Sequence, residues 1–165
     1  MNFRKKIIEH LFKLSEKFYT RNFKKHKIAW NIDRSTLLTF PSCTFGYHLG
    51  VFLKENNFEL IPKVERHDAY HVLTGFGTKV EDEIALQYVC FGNGKRSLYL
   101  LGVMIIGTLL LPDYLRYYLR SYTIGARANS FHHWDFKHVL HLPIEELRTV
   151  AFPQQYLRKL ENKIN

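Results

Sequence analysis

Apolar residues along this chain recur mostly at helical rather than strand spacing. Phe3, Ile7, Leu11, Leu14 and Phe18 are separated by four, four, three and four positions, which predicts one apolar stripe on a helix over residues 3–19. The polar, basic stretch from Thr20 to Arg34 reads as a connector. A second helix is expected over Phe45 to Asn56, entered through the Pro-led turn FPSCTFG and left through KENNFE. Pro62 suits the first turn of a third, where its missing N–H costs nothing, and Gly75 should stop that helix. A fourth is expected from Val80 to Phe91, between TGFGT and GNGK. The uncharged run Leu98 to Leu111 predicts a helix ended by Pro112, and DYLRYYLRSYTIG predicts an amphipathic helix stopped by Gly125. WDFKHVL and PIEELRTVAF should form the last two, with Pro143 opening the second.

Period-two alternation is scarce, and there is no internal repeat. The pattern predicts an all-α fold, a single-domain bundle of about six to eight helices led by a basic amphipathic N-terminal helix. Residues 1–34 form that helix and its connector, and residues 35–165 the helical domain proper. The run Leu98 to Leu111 is fourteen residues long, whereas a bilayer-spanning helix needs about 20. It reads either as a buried core helix or as one that lines a lipid pocket or touches a membrane.

Charge sharpens this picture. The formal net charge is +9. Residues 1–30 carry nine Lys/Arg against Glu9 and Glu16, so that segment is +7 and the remaining 135 residues only +2. A nucleic-acid binder would carry its basicity on the domain face. A basic amphipathic arm suits an anionic membrane surface instead. Cys43 and Cys90 form neither a C-x-x-C motif nor a disulfide framework, which points to a reducing compartment. The start lacks the apolar core and small-residue cleavage site of a secretory signal.

The densest candidate chemistry lies in ERHDAYHVLTGFGTKVEDEIALQ, Glu65 to Gln87. His67 and His71 are four apart, so on a helix their rings fall about 40° from each other on one face. That is the spacing at which two imidazoles grip one ion. Asp68 sits at the rim of the same face, where it can ligate or orient a bound group. Glu83, on the following helix, can meet the histidines if the Gly-rich turn folds that helix back. Two imidazoles with one or two carboxylates suit zinc, manganese or ferrous iron better than calcium or copper(I). The bland alternative is a buried histidine pair bonded to Asp68 and Glu83. His132, His133, His138 and His141 form a second group without a carboxylate at ligand spacing. Two other enzyme classes fit less well. H-D-x-x-H mimics the peptidase motif H-E-x-x-H with a shorter acid. An HD-type phosphohydrolase could use His48 with Asp113 or Asp135, but would leave His71 and Glu83 without roles.

The string HDAYH, eleven residues, then Glu83 is similar to the H-D-x-x-H, eleven residues, E signature of the coenzyme Q biosynthesis protein 4 family. HVLTG and EIALQ beside it, FPSCTFGYHLGVFL upstream and WDFKHVLHLPIEELRTVAF downstream also resemble that family, over roughly Leu37 to Phe152. Cys43 stands where the family's turn usually offers Gly. The resemblance implies a helical protein associated with membranes and with complexes of other quinone-biosynthesis proteins. It implies an isoprenoid quinone precursor as ligand and removal of the ring carboxylate from a polyprenyl-hydroxybenzoate, with ring hydroxylation, by a metal-dependent (oxidative) decarboxylase. His67, Asp68, His71 and Glu83 would then bind the ion, commonly described as zinc. The apolar run would wall the isoprenoid tail, through Leu101, Met104, Ile105, Gly107 and Thr108. The location implied is peripheral, on the cytoplasmic face of a bacterial inner membrane or the matrix side of the mitochondrial one. A homodimer is compatible with this reading, and nucleic acid is not expected. The competing reading within the same pathway is a non-catalytic, lipid-binding scaffold, with the metal tying helices together.

Overall fold

The structure, a computed structural model, describes residues 3–8, 10 and 28–164. Among these the regular elements are all helical, as the apolar spacing predicts. Leu11, Leu14 and Phe18 of the N-terminal stripe, and residues 20–27 of the connector, lie outside the described residues. The helices fall into two compact units. One comprises the N-terminal segment with Phe76–Arg127, the other Ile28–Gly75 with Ala128–Asn165.

The first unit holds α1 (residues 3–8), α5 (Val80–Gly92), α6 (Leu98–Leu110), a 3-10 turn at Pro112–Tyr114 and α7 (Leu115–Arg127). α5 packs against both α6 and α7. Towards α7 the approach is so close that side chains are excluded. A Cβ on Gly125 would run into the carbonyl oxygen of Val89, and one on Gly92 into that of Tyr122. Gly125 therefore does not stop α7, as its place in the sequence suggests. The helix continues to Arg127, because glycine is there for proximity rather than for termination. Towards α6, Gly107 lies where a Cβ would come 2.7 Å from Ile84 Cδ1. Tyr88 joins both neighbours, sharing a 2.7 Å hydrogen bond with Thr108 Oγ1 and stacking on Tyr118 at 5.3 Å. Tyr118 is fully buried, and among the described residues its hydroxyl finds no hydrogen-bond partner. Burial pushes its pKa up, and an unsatisfied hydroxyl of this kind costs about 1–3 kcal/mol. The N-terminal segment is pinned by ion pairs, Arg4 to Asp113 at 2.7 Å and Lys5 to Glu81 at 2.9 Å, and Ile8 is buried.

The second unit holds α2 (Arg34–Leu37), α3 (Phe45–Glu55), α4 (Arg66–Thr74), α8 (Ile144–Ala151) and α9 (Gln154–Ile164). Asp33 caps α2 by accepting from the Thr36 amide at 2.7 Å, and the hydrogen bonds from Thr36 and Ser35 lower its pKa to about 2. Thr44 caps α3 by accepting from the Tyr47 amide. An antiparallel bridge, Thr44 to Pro143, joins the start of α3 to the start of α8. Phe45 N–H donates to Leu142, Gly46 N–H to Leu140 and Ile144 N–H to Cys43, all within 3.0 Å. Leu37, Phe45, Leu49, Leu53, Tyr70, Leu73, Phe131 and Phe136 are completely or almost completely buried.

Two expectations change here. α4 begins at Arg66 rather than at Pro62, because Lys63 adopts φ +72° and the residues before Arg66 are turns. WDFKHVL forms successive turns instead of a helix. The Asp135 carboxylate takes the amide of Lys137 at 3.1 Å, a local bond that competes with helix. The short α2 and the C-terminal α9 were not anticipated. α9 carries Tyr156, whose hydroxyl donates to the carbonyl of Thr74 at 2.5 Å.

The two helical glycines of α6 and α7 should respond oppositely to alanine. Gly125→Ala should lower unfolding free energy by about 1–3 kcal/mol, through overpacking against α5. Gly102→Ala, where a Cβ meets nothing within 4 Å, should raise it by up to about 1 kcal/mol. Urea titration of the two variants measures both.

Candidate metal centre

α4 is short, and each end has an identifiable cause. Turns and the left-handed Lys63 precede Arg66, and Gly75 at φ +69° closes the helix with its N–H on the carbonyl of His71. Its last carbonyls have further partners. Arg148 Nη2 donates to Val72 at 3.1 Å, and Tyr156 to Thr74. Tyr70 on this helix is buried, with its hydroxyl on the carbonyl of His132 at 3.0 Å. Glu65, just before the helix, is buried and accepts from the Trp30 amide at 3.0 Å. α4 is thus fixed along its whole length within its unit.

On that helix His67 and His71 come together as their spacing predicts. Their Nε2 atoms are 3.2 Å apart, and the rings stand at 87°. His71 is buried and stacks on Phe52 of α3 at 5.4 Å and 17°, which fixes the plane of its ring. His67 is half-buried.

Glu83 lies in the first turn of α5 with Glu81 and Asp82. Glu81 is bound to Lys5, and Asp82 accepts from the Tyr117 hydroxyl at 2.7 Å. One ligand atom each from His67, His71 and Glu83 lie within 4.8 Å of one another. Asp68 is half-buried and is not part of that group.

The donor set fits a divalent ion of the zinc class. Two nitrogens bound at about 2.0–2.1 Å to one tetrahedral zinc stand about 3.3–3.4 Å apart, close to the Nε2 separation on α4. Two neutral imidazoles and one carboxylate make the borderline donor set that zinc, manganese and ferrous iron share.

The other candidates fall elsewhere. Ser130 Oγ lies 3.0 Å from His132 Nδ1 and 3.2 Å from His133 Nδ1. His138 pairs with Asp135 at 2.8 Å, and His141 is exposed. None of these four joins a three-ligand group among the described residues. Asp113 and Asp135, needed for the phosphohydrolase reading, are committed to Arg4 and His138. Burial lowers the pKa of His48, and the charge of Arg148 acts in the same direction. The five residues proposed to line a lipid tail differ in setting. Met104 and Gly107 are buried, Leu101 and Thr108 half-buried, and Ile105 is exposed. Phe52, Arg148 and Tyr156 support α4 and were missed in the sequence. Their signal is tertiary, since each comes from a different helix with no fixed spacing to His71.

Residues 60–152 match the model of the family described as Coenzyme Q (ubiquinone) biosynthesis protein Coq4. The matched span includes all four signature residues and leaves out the FPSCTFGYHLGVFL stretch. A crystal structure of a protein from Nostoc punctiforme PCC 73102, named for ubiquinone biosynthesis, has a similar fold. Its TM-score is 0.61 at 18% identity, covering 89% of this chain and 80% of that one. The search of curated proteins returns no match.

His71→Ala should abolish stoichiometric zinc binding and leave the far-UV circular dichroism of the helices largely intact. Metal analysis after dialysis reads the first and a spectrum the second. Metal retained at one equivalent per chain would exclude His71 as a ligand.

Proposed function

The chain belongs to the Coenzyme Q (ubiquinone) biosynthesis protein Coq4 family, and from that premise we propose that it removes the ring carboxylate of a polyprenyl-hydroxybenzoate precursor at a metal-dependent site. The observation that carries the reading is the convergence of His67, His71 and Glu83 in a member of this family. His67 and His71 would hold the ion through Nε2 and Glu83 through a carboxylate oxygen, with Asp68 close by in sequence on α4. A divalent ion supplies Lewis-acid charge there.

The residues themselves account for the preference for an acidic substrate. Two neutral imidazoles and a single carboxylate leave a doubly charged ion one net positive charge, which favours an anionic ring carboxylate. Phe52 keeps the His71 ring from turning, so its Nε2 stays aimed towards His67. Arg148 and Tyr156 hold the carbonyls at the end of α4 and so keep the pair in register. The isoprenoid tail would lie along apolar surface of α6, where Leu101, Ile105 and Thr108 retain exposure. The partners proposed are this lipid precursor, an anionic membrane surface and other quinone-biosynthesis proteins.

Carbon dioxide release from a ring-carboxylate-labelled prenyl-hydroxybenzoate tests the reading. The zinc-, manganese- or iron-loaded chain should release label, and His67→Ala should reduce the rate by at least about 100-fold. Unlabelled gas from every metal form, with metal and lipid still bound, would replace the enzyme by the scaffold reading.

A further inference from the structure

The first unit buries a polar cluster where α5, α7 and the N-terminal segment meet. Lys5 Nζ donates to Glu81 Oε1 at 2.9 Å and to the Tyr114 hydroxyl at 3.1 Å, and it lies 5.1 Å from the centre of the Tyr114 ring. Tyr114 stacks on Tyr118 at 6.3 Å and 27°. Tyr118 stacks in turn on Tyr88 of α5, whose hydroxyl is joined to Thr108 of α6. Among the described residues, three buried side-chain atoms have no hydrogen-bond partner: Glu81 Oε2, the Tyr118 hydroxyl and Arg148 Nε. The first two belong to this one cluster, and Tyr118 is 0% exposed. Burial, and after it the charge of Glu81, raises the pKa of the Tyr118 phenol. A buried carboxylate oxygen and a buried hydroxyl thus stand near each other without bonding.

We propose that one buried water molecule bridges Glu81 Oε2 and the Tyr118 hydroxyl, and so ties the N-terminal segment to the α5–α7 pair. Charge selects the occupant. Glu81 and Lys5 already neutralise each other, and the phenols are uncharged. A metal ion or an ammonium group on Oε2 would face the Lys5 ammonium across a single carboxylate, and like charges that close repel. A neutral molecule that both donates and accepts suits both atoms. Water gives one O–H to Glu81 Oε2 and takes the O–H of Tyr118. Buried waters are held by about three hydrogen bonds. Tyr114, which accepts from Lys5, can donate its own O–H as the third. Two unpartnered buried atoms would each cost their desolvation, whereas one immobilised water satisfies both. The result is a continuous polar chain, Lys5 to Glu81 to water to Tyr118, in which each bond polarises the next. Lys5 is then coupled to Tyr118, although no hydrogen bond joins them directly. The inference does not depend on the metal site.

Urea titration of the full chain and a high-resolution crystal structure test it. Tyr118→Phe keeps the ring and removes only the hydroxyl. It should raise the unfolding equilibrium constant about fivefold or more, because Glu81 and the water lose a partner. A hydroxyl with no partner predicts the opposite sign, since its removal relieves a buried polar group. Lys5→Met should destabilise as well, and the double variant should depart from additivity by at least about twofold. Electron density of the parent should show one water within hydrogen-bonding distance of both atoms. Four results each overturn the proposal. One is a Tyr118→Phe variant as stable as the parent or more so, and another is additive effects in the double variant. The others are a Tyr118 hydroxyl bonded directly to the Glu81 carboxylate and a cation in the water's place.

Discussion

Two imidazole nitrogens held 3.2 Å apart can share one proton or one cation, but two protons cannot occupy the space between them. The rest of the second unit reads as the means of enforcing that closeness. Helical spacing brings His67 and His71 to one face, Phe52 fixes the His71 plane, and Gly75 turns the chain away once the pair is complete. Arg148 and Tyr156 reach in from α8 and α9 to take carbonyls that a short helix leaves without partners. A nine-residue helix is marginal alone in water. Here burial of Ala69, Tyr70, Leu73 and Thr74 supplies what local propensity does not.

The first unit is governed by a different constraint, the proximity of α5 to its neighbours. Gly92 and Gly125 let two backbones approach to a distance that admits no side chain, and Gly107 does the same for Ile84. With α5 held in this way, the acids of its first turn have separate partners. Glu81 anchors Lys5, Asp82 anchors Tyr117, and Glu83 is the candidate ligand. Acids in the first turn also suit the positive end of the helix dipole.

Much of this was legible in the sequence, for physical reasons. Turn and breaker residues marked α3, α5 and α6 to within about two residues of their ends, because such residues stop a helix wherever the rest of the chain lies. The signature residues stood out because i, i+4 imidazoles have a geometric meaning independent of context. What stayed hidden depends on distant partners. Gly125 looks like a stop signal until Val89 is seen against it. WDFKHVL has helical apolar spacing, yet Phe131, Phe136 and Leu140 are buried by a chain running through turns. Lys63 offers no sequence sign of its left-handed conformation. Sequence spacing could not divide α6 into covered and exposed sides either, since it is apolar almost throughout.

The bridge from Thr44 to Pro143 has a consequence for biosynthesis of the protein. It closes a loop of about a hundred residues, with the Phe76–Arg127 part of the first unit inside it. On the ribosome, α3 and α4 emerge early, but their covering strand of contacts and the helices bearing Arg148 and Tyr156 are made last. The histidine pair therefore leaves the exit tunnel long before the scaffold that aligns it. Completion of the second unit waits for α8 and α9. Alignment of the pair is accordingly a late event, set by the arrival of α8 and α9 rather than by synthesis of the histidines themselves.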